Sequence, residues 1–158
     1  MATTTINYGT STALTCTLAA LATSATAVVG RESNSIDNTT TKAVDYLISV
    51  LTMTGTSPTG GAIEVWGAWS EDGTNYDGIQ TGSDAAMTHT VETKASLKLM
   101  HIQPVTTTSN KAYRFSFHLQ MPPGRKMNFF ITHNTGVNLH ATGGNHAITY
   151  TAIKYDSA

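Results

Sequence analysis

The stretch Tyr113 to Leu119, YRFSFHL, alternates without a break: Tyr113, Phe115, Phe117 and Leu119 fall on one parity, Arg114, Ser116 and His118 on the other. Successive side chains of a strand point to opposite faces, so this segment has one face to bury and one to leave in water. An antiparallel sheet covered on one side is the arrangement that uses such a strand.

The same period recurs on either side of it. Leu14, Cys16 and Leu18 alternate with Thr15 and Thr17, and Ala27 to Gly30 is a short second candidate. The run Ala43 to Met53, AVDYLISVLTM, is apolar on both parities, which predicts a central strand covered on both faces. Ala62 to Ser70 resumes alternation with Ile63, Val65 and Trp69 inward, and Leu97 to Gln103, Met127 to His133 and Ala147 to Tyr155 complete the set. Breaks fall at GTSPTGG, Gly55 to Gly61, at Asp72-Gly73, at Gln120 to Lys126 and at His140 to Asn145. Gln80 to Ala95 has no clear period and is read as a long loop with a short helix at Asp84 to Met87. About eight short strands with turn signals between them predict an all-β fold, an antiparallel two-sheet β-sandwich of jelly-roll or related Greek-key topology. The expected core includes Val44, Ile48, Val65, Leu99, Phe115, Phe117, Phe129 and Ile131.

A chain of 158 residues is one domain's worth. Residues 1–12, MATTTINYGTST, have no buried face of their own and are read as an extended arm, followed by a single sandwich over 13–158. Charged residues make up 12%, against roughly 25% in ordinary soluble domains. So few charges suit a subunit that hides much of its surface in an assembly. A net charge of -1 supplies no field to attract nucleic acid or an anionic membrane, and no apolar run reaches the length of a spanning helix. Thr and Ser interrupt Ala13 to Val29 and no Lys or Arg precedes it, so it reads as strand and not as a secretion signal. One cysteine, Cys16, leaves no intramolecular disulfide and no cysteine-based zinc cluster, and it reads as a small core residue.

Catalytic signatures are lacking. Of six histidines, His133, His140 and His146 lie near the last hairpin, but without the tight spacing of a metal motif, so no metal or other cofactor is expected. A glycosidase needs two carboxylates about 5–10 Å apart across a cleft, and the pairs present, Glu71 with Asp72 and Glu32 with Asp37, fall in loops. Trp66 and Trp69, three apart on one strand, point to opposite faces, one into the core and one to a surface or interface. Without a nucleophile elbow or a phosphate loop the chain is not expected to be an enzyme.

The remaining oddity is GRESNSIDN, Gly30 to Asn38, where Arg31, Glu32 and Asp37 crowd into a chain otherwise short of charge. Arg31 can form a bidentate pair with a carboxylate, and Glu32 and Asp37 are the nearest in sequence, so an internal clamp that holds this loop is expected; direct contact with a partner is the alternative. Asp37 and Asn38 can also bond their own backbone in a turn.

The block Gly30 to Thr39, the long strand after it, the TGTSPTGG loop, SEDGTNY and the closing GNHAITYTAIKY together resemble small β-sandwich proteins encoded among the virion genes of tailed bacteriophages. The resemblance spans about Tyr8 to Tyr155. It implies a structural virion protein, made in the host bacterial cytoplasm and carried on the capsid surface as a decoration or cement subunit. Its partners would be the major capsid protein and other copies of itself, as a trimer or dimer, with no nucleic acid and no membrane. The candidate contact residues are Thr3, Thr5, Asn7 and Tyr8 of the arm and Arg31, Glu32 and Asp37 of the charged loop. Two alternatives stay open: a tail or neck structural protein, and a virion-borne module that binds host carbohydrate through loops at one end of the sandwich. A hydrolase would require a convergent cleft of carboxylates.

Overall fold

A computed structural model describes residues 4–120 and 125–157. Among the described residues eleven strands form two antiparallel sheets. The first contains β1 (Thr4–Tyr8), β2 (Thr12–Leu14), β5 (Asp45–Met53), β9 (Ala112–Gln120) and β11 (Ala147–Ser157), in the order β1-β11-β5-β9 with β2 also paired to β11. The second contains β3 (Val29–Glu32), β4 (Ile36–Asp37), β6 (Ala62–Ser70), β7 (Ala85–Thr88), β8 (Lys98–Pro104) and β10 (Lys126–His133), in the order β7-β3-β10-β6-β8 with β4 also paired to β10. The antiparallel pairs β2 with β11, β3 and β4 with β10, β5 with β9 and β6 with β8 are those of one long hairpin rolled up on itself. That is the jelly roll. β1 adds an edge strand to one sheet and β7 to the other.

The core lies between the sheets. β9 keeps the alternation of its sequence, with Tyr113, Phe115, Phe117 and Leu119 buried and every residue between them exposed. Its inward residues lie opposite Thr52, Val50, Ile48 and Tyr46 of β5. Across the gap Phe129 meets Phe117 edge-on, with ring centroids 5.8 Å apart.

The strand covered on both faces is β10, not the run Ala43 to Met53. From Met127 to His133 every residue is buried. β5 is central in its sheet but buries only one side; Leu47 on the other is exposed, and Val44 is half-buried. The cause is the long connection from β6 to β8, residues 71–97, which folds across the outer face of the second sheet. There Phe130, Ala68 and Leu97 form a second apolar cluster with Trp66, Tyr76 and Met87. Gly30 of β3 belongs to this crowded layer, because a Cβ there would lie 2.2 Å from the Ile131 carbonyl oxygen and 2.8 Å from the Phe130 ring.

Three local expectations need correction. The strand at Leu14 ends there, since the chain then leaves β11; Leu18 is nonetheless buried from a loop, and Cys16 is half-buried. Asp84 to Met87 is not helical: Ala85–Thr88 pairs with β3 as β7, and the helix follows at Val91–Ala95, α2, where Thr90 and Thr93 form a reciprocal capping box. Leu99 is 41% exposed, because edge strand β8 turns it outward just beyond a β-bulge opposite Val65 and Trp66.

Candidate contact surfaces

The N-terminal segment lies antiparallel to β11 of its own chain, with Ile6 opposite Tyr155 and Tyr8 opposite Ile153. All five residues of β1 are exposed. Thr5 Oγ1 donates to the Asp156 carbonyl at 3.4 Å and Asn7 Nδ2 to the Asp156 carboxylate at 3.1 Å. Because β1 ends the sheet order, its outer side faces no strand among the described residues. Natural edge strands are usually blunted by Lys, Pro or a bulge, and Thr4–Tyr8 carries none of these. It presents Ile6 at 56% exposure and Tyr8 at 65%, next to Tyr155 of β11 at 52%. Thr3 lies outside the described residues.

Arg31, Glu32 and Asp37 do not clamp one another. They go to three different places. Arg31 Nε donates to Asp84 Oδ1 at 2.6 Å and its Nη2 to the Asp84 carbonyl at 3.1 Å, a partner 53 residues away. The same carboxylate accepts from the Thr17 N–H at 3.0 Å and the Thr17 hydroxyl at 2.6 Å, while the Asp84 N–H donates to Asn34 Oδ1 at 2.8 Å. One side chain thus ties the loop after β2, strand β3 and the start of β7. Asp84 and Thr17 are far from Arg31 in sequence, and the only local signal for Asp84 is that it is one of two acidic residues, with Asp77, in the run 73–91, which has no Lys or Arg.

Glu32 is fully buried beneath the 71–97 connection. Its carboxyl group accepts from the Thr81 N–H at 2.9 Å, from the Thr81 hydroxyl and from Asn128 Nδ2 at 3.1 Å. Asn128 donates also to Gln80 Oε1 at 3.2 Å, and Gln80 Nε2 donates to His89 Nε2 at 2.8 Å. This polar chain stitches the connection to the sheet, since buried polar groups are costly unless paired. Asp37 is exposed: it caps the short helix α1 (Asn38–Thr41) through the Thr39 N–H at 2.9 Å and lies 3.8 Å from Lys126 Nζ. Beside Asn38 the Tyr46 hydroxyl donates to Asn38 Oδ1 at 2.5 Å, and burial pushes that phenol up to about 12.

The protein's titrations follow from these environments. Burial alone would raise the Asp84 carboxyl, but Arg31 and Thr17 more than offset it and hold it below the usual carboxylate range. Arg31→Met should therefore cost about 1 kcal/mol in chemical denaturation, with the difference from wild type disappearing in acid once Asp84 protonates; an equal gap at all pH values would contradict the pairing. Burial lowers three imidazoles, His89, His133 and His146, relative to their ordinary value. These rings protonate more readily in the unfolded chain, which then binds more protons than the folded one. Stability present above about pH 6.5 should decline as pH falls through the folded-state values, read as a melting temperature that drops between about pH 7.5 and 5.5. A flat profile over that window would contradict it.

The remaining histidines and tryptophans have structural surroundings. His133 Nε2 donates to the Leu21 carbonyl at 3.0 Å, and His146 Nε2 donates to the His140 carbonyl at 2.7 Å. Among the described residues no three His, Cys, Asp or Glu side chains are grouped to hold a metal ion, and no helix is long and apolar enough to cross a membrane. Trp69 packs on the main core, while Trp66 belongs to the outer cluster, under Lys94 Nζ at 4.3 Å from its ring and donating to Glu64 Oε2 at 2.8 Å.

Where the connection leaves β6, a cleft of about 550 Å³ opens between residues 73–83 and the segment 34–37. Asn34, Asp37, Thr74, Tyr76, Ser83 and Lys126 line it. No protein-family model matches the sequence, and no curated protein matches it.

Proposed function

We propose that the protein is a structural virion protein of a tailed bacteriophage, a capsid decoration or cement subunit on the head surface that binds the major capsid lattice and other copies of itself. A jelly roll hosts many functions, so the fold alone does not supply this reading. The observation that carries it is β1: a fully exposed, uncharged edge strand that presents Ile6 and Tyr8 next to Tyr155 of β11, in a chain with few charges elsewhere. Such an edge accepts a strand from a neighbouring subunit, with backbone hydrogen bonds supplying affinity and the apolar side chains supplying fit. An extended segment of ten residues spans about 33 Å, enough to bridge two subunits if it lifts from its own sheet. Many weak contacts on a closed shell then act together.

The test is to remove Met1 to Thr10, verify that the sandwich still folds, and measure occupancy on undecorated heads together with their resistance to heat. Occupancy should fall at least about tenfold at limiting concentration, a loss of about 1.4 kcal/mol per site. Ile6→Lys should act in the same direction without shortening the chain. Full binding by both variants would remove β1 from the contact. If the intact chain binds no heads, the cement role is wrong, and binding to tails or necks would relocate it.

A further inference from the structure

From the cleft between residues 73–83 and 34–37 we infer a second property, independent of any assembly role: a binding site for a neutral, hydroxyl-rich ligand, a mono- or disaccharide unit of a glycan. Its volume of about 550 Å³ suits a ligand of that size. The walls are held before any ligand arrives. Asp72 Oδ1 accepts from the Thr74 and Asn75 N–H groups, both at 2.7 Å, and Asp77 Oδ2 accepts from the Trp69 N–H at 3.1 Å. Among the lining residues the Ser35 and Tyr76 hydroxyls bond at 2.5 Å, and Ser35 Oγ donates to the Gly82 carbonyl at 3.0 Å. Gly82 must be glycine there: its φ is +78°, and a Cβ would lie 2.4 Å from Ser35 Oγ.

The polar groups left over define the ligand. Asn34 uses its Oδ1 on the Asp84 N–H, which leaves its Nδ2 donors with no hydrogen-bond partner among the described residues; the Thr74 and Ser83 hydroxyls likewise have none. Asp37 Oδ2 and Lys126 Nζ, 3.8 Å apart, add an acceptor and a donor of opposite charge. A free anion would meet Asp37, and a free cation Lys126, so neither sign of net charge is favoured. Donors and acceptors together match the hydroxyls of a sugar, and Tyr76 is the aromatic residue among the described residues that line the cleft. An open site with so little apolar lining binds weakly, on the order of 1 mM.

The probe is a panel of glucose, galactose, mannose, N-acetylglucosamine and N-acetylgalactosamine, each titrated to tens of millimolar into the isotopically labelled full chain while backbone amide resonances are followed. At least one sugar should give saturable shifts concentrated at Asn34, Asp37, Thr74, Tyr76, Ser83 and Lys126. Ser83→Leu, an exposed position whose larger side chain would fill the cleft mouth, should weaken that binding at least about tenfold with an unchanged melting temperature. If Ser83→Leu disturbs folding, Thr74→Leu, at another exposed position that lines the cleft, serves the same purpose. No saturable shift with any sugar, shifts that persist in both filled variants, or equal shifts with inorganic phosphate would each overturn the assignment.

Discussion

Phe129→Ala is expected to lower the unfolding free energy by about 3–5 kcal/mol in urea or guanidinium, with little change in the slope of the transition. Phe129 is 1% exposed at the middle of β10 and packs edge-on against Phe117 from the opposite sheet. The strand behind it cannot move inward to close the space, because Phe130 on its other face is wedged under the 71–97 connection with Ala68 and Leu97. A cavity therefore remains, and the lost contacts add to the lost transfer energy. A loss below about 1 kcal/mol would mean that the two sheets do not meet there. Phe129→Leu keeps most of the volume and should cost less than about half as much.

The second large effect is expected at Glu32. Glu32→Ala removes the acceptor for the Thr81 N–H, the Thr81 hydroxyl and Asn128 Nδ2 in a place without exposure to water. Each unpaired buried donor costs about 1–3 kcal/mol, and because the donors share one site the sum is not additive; a total of about 3 kcal/mol is expected. Hydrogen exchange should show where that energy acts. Amides of residues 79–97 should lose protection first, while β5 and β9 of the other sheet keep theirs. Uniform loss across both sheets would show that the connection is not a separately opening layer. Glu32→Gln, which retains one acceptor oxygen, should fall between the two.

These two sites differ in how far they could be read along the chain. Phe129 reads as core from its neighbours, because Met127 to His133 is apolar enough to be a strand. Cover on both sides has no local signature there, whereas the run Ala43 to Met53, apolar on both parities, carries one that the fold does not use. Leu47, Leu51 and Met53 fit a doubly covered strand in sequence, but Leu47 is exposed and Leu51 and Met53 are only half-buried. Leu99 misled for a related reason: a bulge opposite Val65 and Trp66 shifts the register of β8 and turns an apolar residue outward.

The charged loop shows the same limit for the candidate sites. Arg31, Glu32 and Asp37 stand out by composition, and each does hold structure in place. Proximity in sequence points Arg31 to Glu32 or Asp37. Arg31 and Glu32 lie next to each other in β3, so their side chains leave opposite faces of the strand. Arg31 then meets Asp84, while Glu32 points under the connection to Thr81 and Asn128. The cleft was still less legible, since Asn34, Tyr76 and Ser83 have no shared motif and are adjacent only because residues 71–83 double back.

Strand periodicity is a local property: each residue's face follows from its parity, so β9, β6 and the two-sheet class could be inferred from short windows of sequence. Turns are equally local, as Asp72-Gly73 illustrates with Gly73 at a φ of +82°. Pairing is not local. Which sheet face the 71–97 segment covers, where Arg31 finds its carboxylate and how β1 comes to lie on the edge of β11 depend on contacts between residues dozens of positions apart. Those contacts form only when the rolled hairpin brings the sheets together, and burial then determines which polar groups must be paired.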